Sequence, residues 1–346
     1  MKKIAVGLSG GVDSSVVLLL LKEQGFDVTG VHMQCWDYNE EGCTGEQDKA
    51  DAIAVCSQLE VPFKFLDFQK EYQDKVIKNF YEEYEAGRTP NPDILCNKEI
   101  KFGLFLDWAL ENGFDMVATG HYAKIVREDT PKLYIPKDKS KDQTYFLYRL
   151  DSTKLEKILF PLGDMLKAEV KEIAFQNNLK NFNKPESMGI CFIGKINVKD
   201  FLKRRISEKI GEVINIKGEV IGKHKGVAFF TIGQRHGFEI FKYTGTPLYV
   251  IKKNAENNTL TVGTEEEAMN DTFEVSEINF INEIFEGSLN IFVRIRHLGE
   301  LHKAIVTFTD GNAKVKLQDK VFGIAPGQSC VFYTENDQVM GGGIIN

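Results

Sequence analysis

The chain has no CxxC pair and no cysteine and histidine cluster at zinc-finger spacing. Its six cysteines stand singly at 35, 43, 56, 96, 191 and 330. That excludes a zinc ribbon and leaves nothing suited to an iron-sulfur cluster. In a reducing compartment these cysteines are not staples, so any that do chemistry do it singly or as a transient pair. Long hydrophobic runs are also missing, and the stretch from Val16 to Leu21 is far too short to span a bilayer. No basic n-region followed by an apolar h-region opens the sequence, so a cytoplasmic protein is expected, with no membrane partner. Positive charge is in deficit: 43 Lys and Arg face 50 Asp and Glu, for a net charge of -7. This argues against a protein that coats nucleic acid, while leaving room for a local basic face. There is no internal repeat and no low-complexity tract.

What is present fits a globular chain of 346 residues in two or three domains, 42% hydrophobic and 27% charged. Up to about residue 125, short β-rich runs alternate with helical stretches. IAVGL, DVTGVHM, VPFKFLDF and FDMVATGHYA read as strands; SSVVLLLLKEQG, ADAIAVCSQLE, YQDKVIKNFYEEYEAG and KEIKFGLFLDWALENG read as helices. The alternation predicts a parallel sheet covered on both faces, with ligands at the carboxyl ends of the strands where strand order reverses. From Gly211 onward the pattern becomes short alternating segments with turn signals, as in small β domains. The expected organisation is an α/β catalytic domain over 1–200, a small central β-rich domain over 201–270 and a C-terminal β-barrel over 271–346.

GLSGGVDSS, residues 7 to 15, lies between a strand and a helix. Glycines alone make a tight turn. With a strand before, a helix after and three hydroxyls, they present backbone N–H groups to an anion. The lysine that ends the common GxxxxGK[ST] loop is missing; Asp13 and Ser14 stand there instead, and a carboxylate suits a Mg2+ ion bridging a leaving pyrophosphate. The stretch resembles the SGGxDS signature of the ATP pyrophosphatase (PP-loop) superfamily, whose members cleave ATP between the α and β phosphates. On that resemblance Gly7, Leu8, Ser9, Gly10, Gly11, Val12, Asp13, Ser14, Met33 and Gly120 would bind ATP, with Asp13 the Mg2+ ligand. His32 reads as a satisfied structural histidine. His121, after Gly120 at a strand end, reads as a site residue.

RTPNPDILCNKEIKF, residues 88 to 102, puts Cys96 just before a helix-like stretch, where the helix dipole, Lys98 and Lys101 would favour its thiolate. Cys191 lies in ESMGICFIG. Cys35, Cys56 and Cys330 read as small buried hydrophobes, while Cys43, in a polar loop, stays open. Together with ATGHYA, KDQTYFL, FFTIGQRHG, PLYV, PGQSCVFY and GGGII, these segments resemble the tRNA-specific 2-thiouridylase family, in order and over nearly the whole chain.

The resemblance implies an ATP-dependent 2-thiolation of the wobble uridine in the lysine, glutamate and glutamine tRNAs. Cys191 would carry sulfur as a persulfide, received from a persulfide donor or relay protein. Cys96 would release it, ending in a Cys96–Cys191 disulfide, with Asp93 as acid or base. Asn91, Pro92, Asp93, His121, Lys141, Asp142, Gln143, Arg296, His297 and Gln328 would touch tRNA, and the protein is expected to be a monomer. Two departures stand out: an Arg-Tyr pair is usual in the family where this chain has Arg296-His297, and Phe238 and Phe241 occupy a loop that is commonly Gly-rich. From Lys195 to Lys225 nine basic residues face four acidic ones, which reads as a strip for phosphates. Rival readings are an enzyme making 4-thiouridine or 2-thiocytidine, a ligase acting on small metabolites, and a catalytically dead RNA-binding module. Neither the ligase nor the dead module would need the two cysteines.

Overall fold

Strand β1 (Lys3–Gly7) is apolar throughout because both of its faces are covered. Ile4 and Val6 enter one hydrophobic core with the first two helices, while Ala5 enters the other with the helical runs 69–85 and 92–111. The computed structural model describes residues 1–36, 45–185, 191, 197–241 and 245–346. β1 pairs in parallel with β2 (Asp27–Gln34) and β4 (Met116–Ala118), and β3 (Phe63–Asp67) extends the sheet beyond β2. β5 (Lys124–Arg127) and β6 (Pro131–Tyr134) form a hairpin, after which β7 (Ile158–Leu159) returns to β4. The sheet order β3-β2-β1-β4-β7 reverses between β1 and β4, so the crevice for a ligand opens at their carboxyl ends.

Helix α1 (Val12–Glu23) leaves β1 through the glycine loop and buries its run Val16–Leu19. Helix α2 (Gly45–Gln58) packs close on β2 at Gly30, where an added Cβ would lie 2.4 Å from the Cys56 sulfur. Cys35, Cys56 and Cys330 are buried, as expected of small hydrophobes. Cys43 lies outside the described residues. Among those residues no helix is long and apolar enough to cross a membrane.

The central domain is a five-stranded sheet of β8 (Gly211–Ile214), β9 (Val220–His224), β10 (Glu239–Ile240), β11 (Tyr249–Asn254) and β12 (Thr259–Gly263) in the order β10-β9-β8-β12-β11. The last unit is a closed barrel of β13 (Met269–Phe280), β14 (Gly287–Arg294), β15 (His302–Thr309), β16 (Asn312–Phe322), β17 (Ser329–Tyr333) and β18 (Gln338–Ile345). Neighbours run antiparallel in the order β13-β16-β15-β14-β17-β18, and β13 pairs with β18 to close the ring. The α/β domain, central β-rich domain and C-terminal barrel expected from the sequence are therefore present. Of the departures in the central loop, Phe238 packs 6.2 Å from the Phe230 ring, whereas Phe241 is exposed.

One connection runs against sequence order. The β5-β6 hairpin adds to the barrel through β18, with Tyr134 opposite Gln338 and Leu133 opposite Val339. Beside it, the 141–147 segment is a socket between the first domain and the barrel. Asp142, fully buried, accepts from Arg294 Nη1 at 2.5 Å, and from the Thr144 amide and hydroxyl at 2.9 and 2.7 Å. Tyr145 donates to the Ser329 carbonyl at 3.0 Å. The side chain of Asp142, expected to touch tRNA, is committed to this interior ion pair.

Removing one partner of such a pair leaves an uncompensated buried charge, which costs about 3–5 kcal/mol. Arg294→Met should lower stability by that amount, read as a fall in the urea midpoint. An unchanged midpoint would mean that the pair does not hold the domains together.

Candidate active site

At the mouth of the sheet, Gly10 adopts φ +75°, and an added Cβ there would lie 2.3 Å from the Asp48 carbonyl oxygen, so only glycine fits. The N-cap of α1 is Gly11, which offers no side-chain cap, so the first-turn amides are left for an anion. Ser14 Oγ donates to the Gly11 carbonyl at 3.1 Å and accepts from the Ser9 amide at 3.3 Å, which fixes the loop's curl. Asn181 donates to the Gly10 carbonyl at 2.8 Å from the far side. Gly120, after β4, closes the crevice: a Cβ there would lie 2.9 Å from the Ser14 nitrogen. Met33 packs its methyl over Gly7. The structure thus gathers Gly7 to Ser14, Met33 and Gly120 around the uncapped start of α1. Asp13 adds a carboxylate whose Oδ1 accepts from Lys167 Nζ at 2.5 Å and from the Tyr122 hydroxyl at 3.1 Å. Among the described residues no group of three or more His, Cys, Asp or Glu could hold a metal ion alone.

His32 behaves as a structural residue, with Nδ1 2.9 Å from the Leu8 carbonyl. His121 is buried between Phe102 and Phe160, its Nδ1 2.7 Å from Thr119 Oγ1. Burial first, then the charge of Lys101, pushes its pKa well below the usual value, so the ring is neutral. His121 links the two halves of the site, since Gly120 beside it touches the phosphate loop and Lys101 belongs to the cysteine cluster.

That cluster is built on a helix that starts earlier than the sequence suggests. Asn91 caps it by accepting from the Asp93 amide at 3.1 Å, with Pro92 at the first position. Cys96 consequently lies one turn inside the helix, and the expectation that it sits just before one is corrected. Its sulfur is 3.5 Å from the Cys191 sulfur. Asp93 Oδ1 accepts from the Cys191 amide at 2.9 Å, and the Tyr72 hydroxyl donates to the Cys191 carbonyl at 2.7 Å. Burial raises the Asp93 pKa, against the lowering effects of the Cys191 amide and Lys101.

From Cys96 to Leu104 the helix is π-helical, with a kink at Phe102, whose backbone is non-helical at φ -112° and ψ 15°. In an α-helix a step of five residues turns roughly 140°, so Lys101 would lie away from Cys96. In a π-helix residues five apart are hydrogen-bonded neighbours, and Lys101 comes over the sulfurs. Gly103 permits the widened turn, since a Cβ there would lie 2.9 Å from the Lys98 carbonyl oxygen. Burial disfavours the Lys101 charge, but Cys191, Cys96 and Asp93 outweigh it and its pKa rises. Burial, then the Cys191 sulfur, pushes Cys96 up, whereas Cys191 is lowered by its hydrogen bond with Cys96 and by Lys101. Of the two sulfurs Cys191 is thus the one whose ionisation is favoured, where the sequence pointed to Cys96. Lys98, by contrast, pairs with Glu99 at 3.2 Å.

The remaining tRNA candidates spread outward. Gln328 donates to the Thr89 carbonyl at 2.7 Å, tying the barrel to the segment that leads into Asn91, Pro92 and Asp93. Gln143 accepts from the Tyr122 amide at 2.8 Å, and Lys141 is half-buried beside it. Arg296 is exposed, while the His297 ring lies 4.2 Å from Phe146. In the basic strip Lys203 and Lys225 share Glu208, at 2.9 and 3.3 Å, and Lys223 pairs with Glu239. Lys195 lies outside the described residues. Lys167 escaped sequence reading.

A glycine loop at an uncapped helix start, joined through His121 to a thiol pair, defines a class: an α/β protein of PP-loop type with two neighbouring cysteines. Family models described as tRNA methyl transferase HUP domain, tRNA methyl transferase PRC-barrel domain and Aminomethyltransferase beta-barrel domain match residues 2–195, 199–264 and 270–345. The tRNA-specific 2-thiouridylase MnmA 1 of Geobacillus kaustophilus is 46% identical, over 100% of this chain and 95% of its own. The tRNA-specific 2-thiouridylases MnmA of Staphylococcus saprophyticus and Bacillus subtilis are 43% and 42% identical, each over 99% of this chain and 95% of theirs. The chain belongs to the tRNA-specific 2-thiouridylase family. Among solved structures, a 4-thiouridine synthetase in complex with RNA and ATP aligns at 18% identity over 59% of this chain and 50% of that one. Its TM-score is 0.38, too remote to carry an inference.

Because Lys101 lowers the Cys191 pKa, Lys101→Met should raise it. The pH midpoint of Cys191 alkylation by iodoacetamide, followed by peptide mass spectrometry, should move up and the rate at neutral pH should fall. An unmoved midpoint would remove Lys101 from the cluster's electrostatics.

Proposed function

We propose that the protein is an ATP-dependent tRNA sulfurtransferase that converts the wobble uridine of the lysine, glutamate and glutamine tRNAs to 2-thiouridine. The observation that carries this reading is the 3.5 Å separation of two sulfurs at the end of a nucleotide crevice. The relatives named as tRNA-specific 2-thiouridylases, at 42 to 46% identity over nearly full length, support the substrate class.

The C2 carbonyl of uracil is a poor electrophile. ATP held on the loop would adenylate the C2 oxygen: a bond forms from that oxygen to the α phosphorus, and pyrophosphate leaves. The uncapped start of α1 suits the phosphates, and Asp13 Oδ2, free of the contacts on Oδ1, would serve a Mg2+ ion held mainly by phosphate oxygens. Sulfur arrives on Cys191 as a persulfide from a donor or relay protein. Cys96 attacks the Cys191 sulfur, the terminal sulfur leaves as hydrosulfide and attacks C2, and AMP departs. Two electrons thus pass from the thiol pair to the sulfur, and a Cys96–Cys191 disulfide remains for an external reductant.

The lowered pKa of Cys191 suits a sulfur acceptor, because the thiolate is the nucleophile. Burial disfavours ionisation of Cys96, and Asp93, whose pKa burial raises, would take its proton. The wobble base would have to leave its stack to reach this pocket. Asn91, Pro92, Lys141, Gln143, Arg296, His297 and Gln328, with the exposed basic strip, are proposed as the surface that holds the tRNA.

Unmodified tRNA incubated with the protein, ATP, Mg2+ and a persulfide donor should yield 2-thiouridine at the wobble position by nucleoside mass spectrometry. AMP and pyrophosphate without a thionucleoside would favour a small-molecule ligase instead. Cys191→Ser should abolish thiolation, to below about 1% of wild type, while pyrophosphate release on tRNA persists. Retained thiolation would remove Cys191 from the reaction.

A further inference from the structure

The glycine loop has no lysine of its own, yet the fold delivers one to it. Lys167 opens the helix Lys167–Gln176 and is only 8% exposed. Its ammonium lies 2.5 Å from Asp13 Oδ1, in the first turn of α1, where the phosphates of a bound nucleotide would meet the helix terminus. The helix start is fixed: the Lys167 amide donates to Asp138 Oδ2 at 2.9 Å, the Leu166 amide donates to Glu169, and Lys137 pairs with Glu169. The ammonium also lies 5.8 Å from the Tyr122 ring centroid, and Tyr122 donates to the same Asp13 oxygen. A buried lysine and carboxylate pair contributes little net stability, because desolvation offsets the attraction. Its placement at an anion-binding helix terminus calls for a use other than stability.

Building on the ATP reading above, we propose that Lys167 is the phosphate-binding lysine absent from the loop, a cation parked on Asp13 that turns to the β and γ phosphates when ATP enters. The loop binds phosphate with backbone amides, and Lys167, 154 positions later in sequence, supplies the positive charge. As the uracil oxygen bonds to the α phosphorus, the bond from that phosphorus to the bridging oxygen breaks. The electron pair stays with pyrophosphate, whose new charge falls beside the Lys167 ammonium. Asp13, relieved of its lysine, keeps Tyr122 on Oδ1, and its Oδ2 stays available. Lys167 is then a binding residue for pyrophosphate, not merely a pin between α1 and the helix Lys167–Gln176.

The test compares two nucleotides on the full chain by calorimetry: α,β-methylene ATP, which carries β and γ phosphates, and AMP, which does not. Lys167→Met should weaken α,β-methylene ATP about tenfold to a hundredfold, the loss of a charge-assisted phosphate contact, and leave AMP affinity unchanged. Lys167→Arg should recover part of the loss. Equal effects on both nucleotides, or none on either, would overturn the proposal and leave the lysine as a structural pin. A thermal melt of each variant checks folding. Should the methionine variant fail to fold, the arginine variant decides, since a guanidinium changes the ratio of the two affinities only if the group meets phosphate. Wild-type protein that binds neither nucleotide would contradict the ATP reading itself and the proposal with it.

Discussion

Two sulfurs 3.5 Å apart, from positions 95 residues apart in the chain, are the contact on which the rest of the molecule converges. Chain connectivity cannot hold them there. Asp93 grips the Cys191 amide, Tyr72 grips its carbonyl, and Lys101 sets the charge of the pair. Each of these comes from a helix of the first domain, and the helical run 69–85 is π-helical from Gln73 to Ile77, as its neighbour is from Cys96 to Leu104. Widened turns in two packed helices re-aim side chains that an ideal α-helix would point elsewhere.

The sulfur cluster is useful only if an activated base can reach it, and the sheet accounts for that. Strand order reverses between β1 and β4, so the phosphate loop and Gly120 share one crevice, and the chain after Gly120 carries His121 directly against Phe102. The phosphate loop and the thiol pair are thus joined through Gly120, His121 and Phe102. The barrel supports the first domain from outside: Arg294 neutralises Asp142, Gln328 ties down Thr89, and the β5-β6 hairpin pairs with the start of β18.

Much of this was legible in the sequence. Strand, glycines, hydroxyls and helix in GLSGGVDSS specify a phosphate loop by local chemistry alone, and the alternation of strands and helices gave the sheet. The two cysteines were legible only through resemblance, because nothing local says that Cys96 and Cys191 meet. What stayed hidden has physical reasons. Placing Lys101 requires knowing that the helix widens, and its one signal is Gly103, a poor helix former inside a helical pattern. The hairpin of KIVR and PKLY is too short to announce itself, since its partner strand lies two hundred residues away. Asp142 looks like a surface charge in KDQTYFL until Arg294 is folded against it.

The central claim is that the two thiols act as a redox pair in sulfur transfer. It is tested most directly by loading the enzyme with persulfide, adding ATP, Mg2+ and tRNA without reductant, and counting products by intact-protein and nucleoside mass spectrometry. One Cys96–Cys191 disulfide for each thionucleoside, with turnover stopping after a single round, is the predicted result. Thionucleoside accumulating over many rounds while both thiols stay free would contradict it.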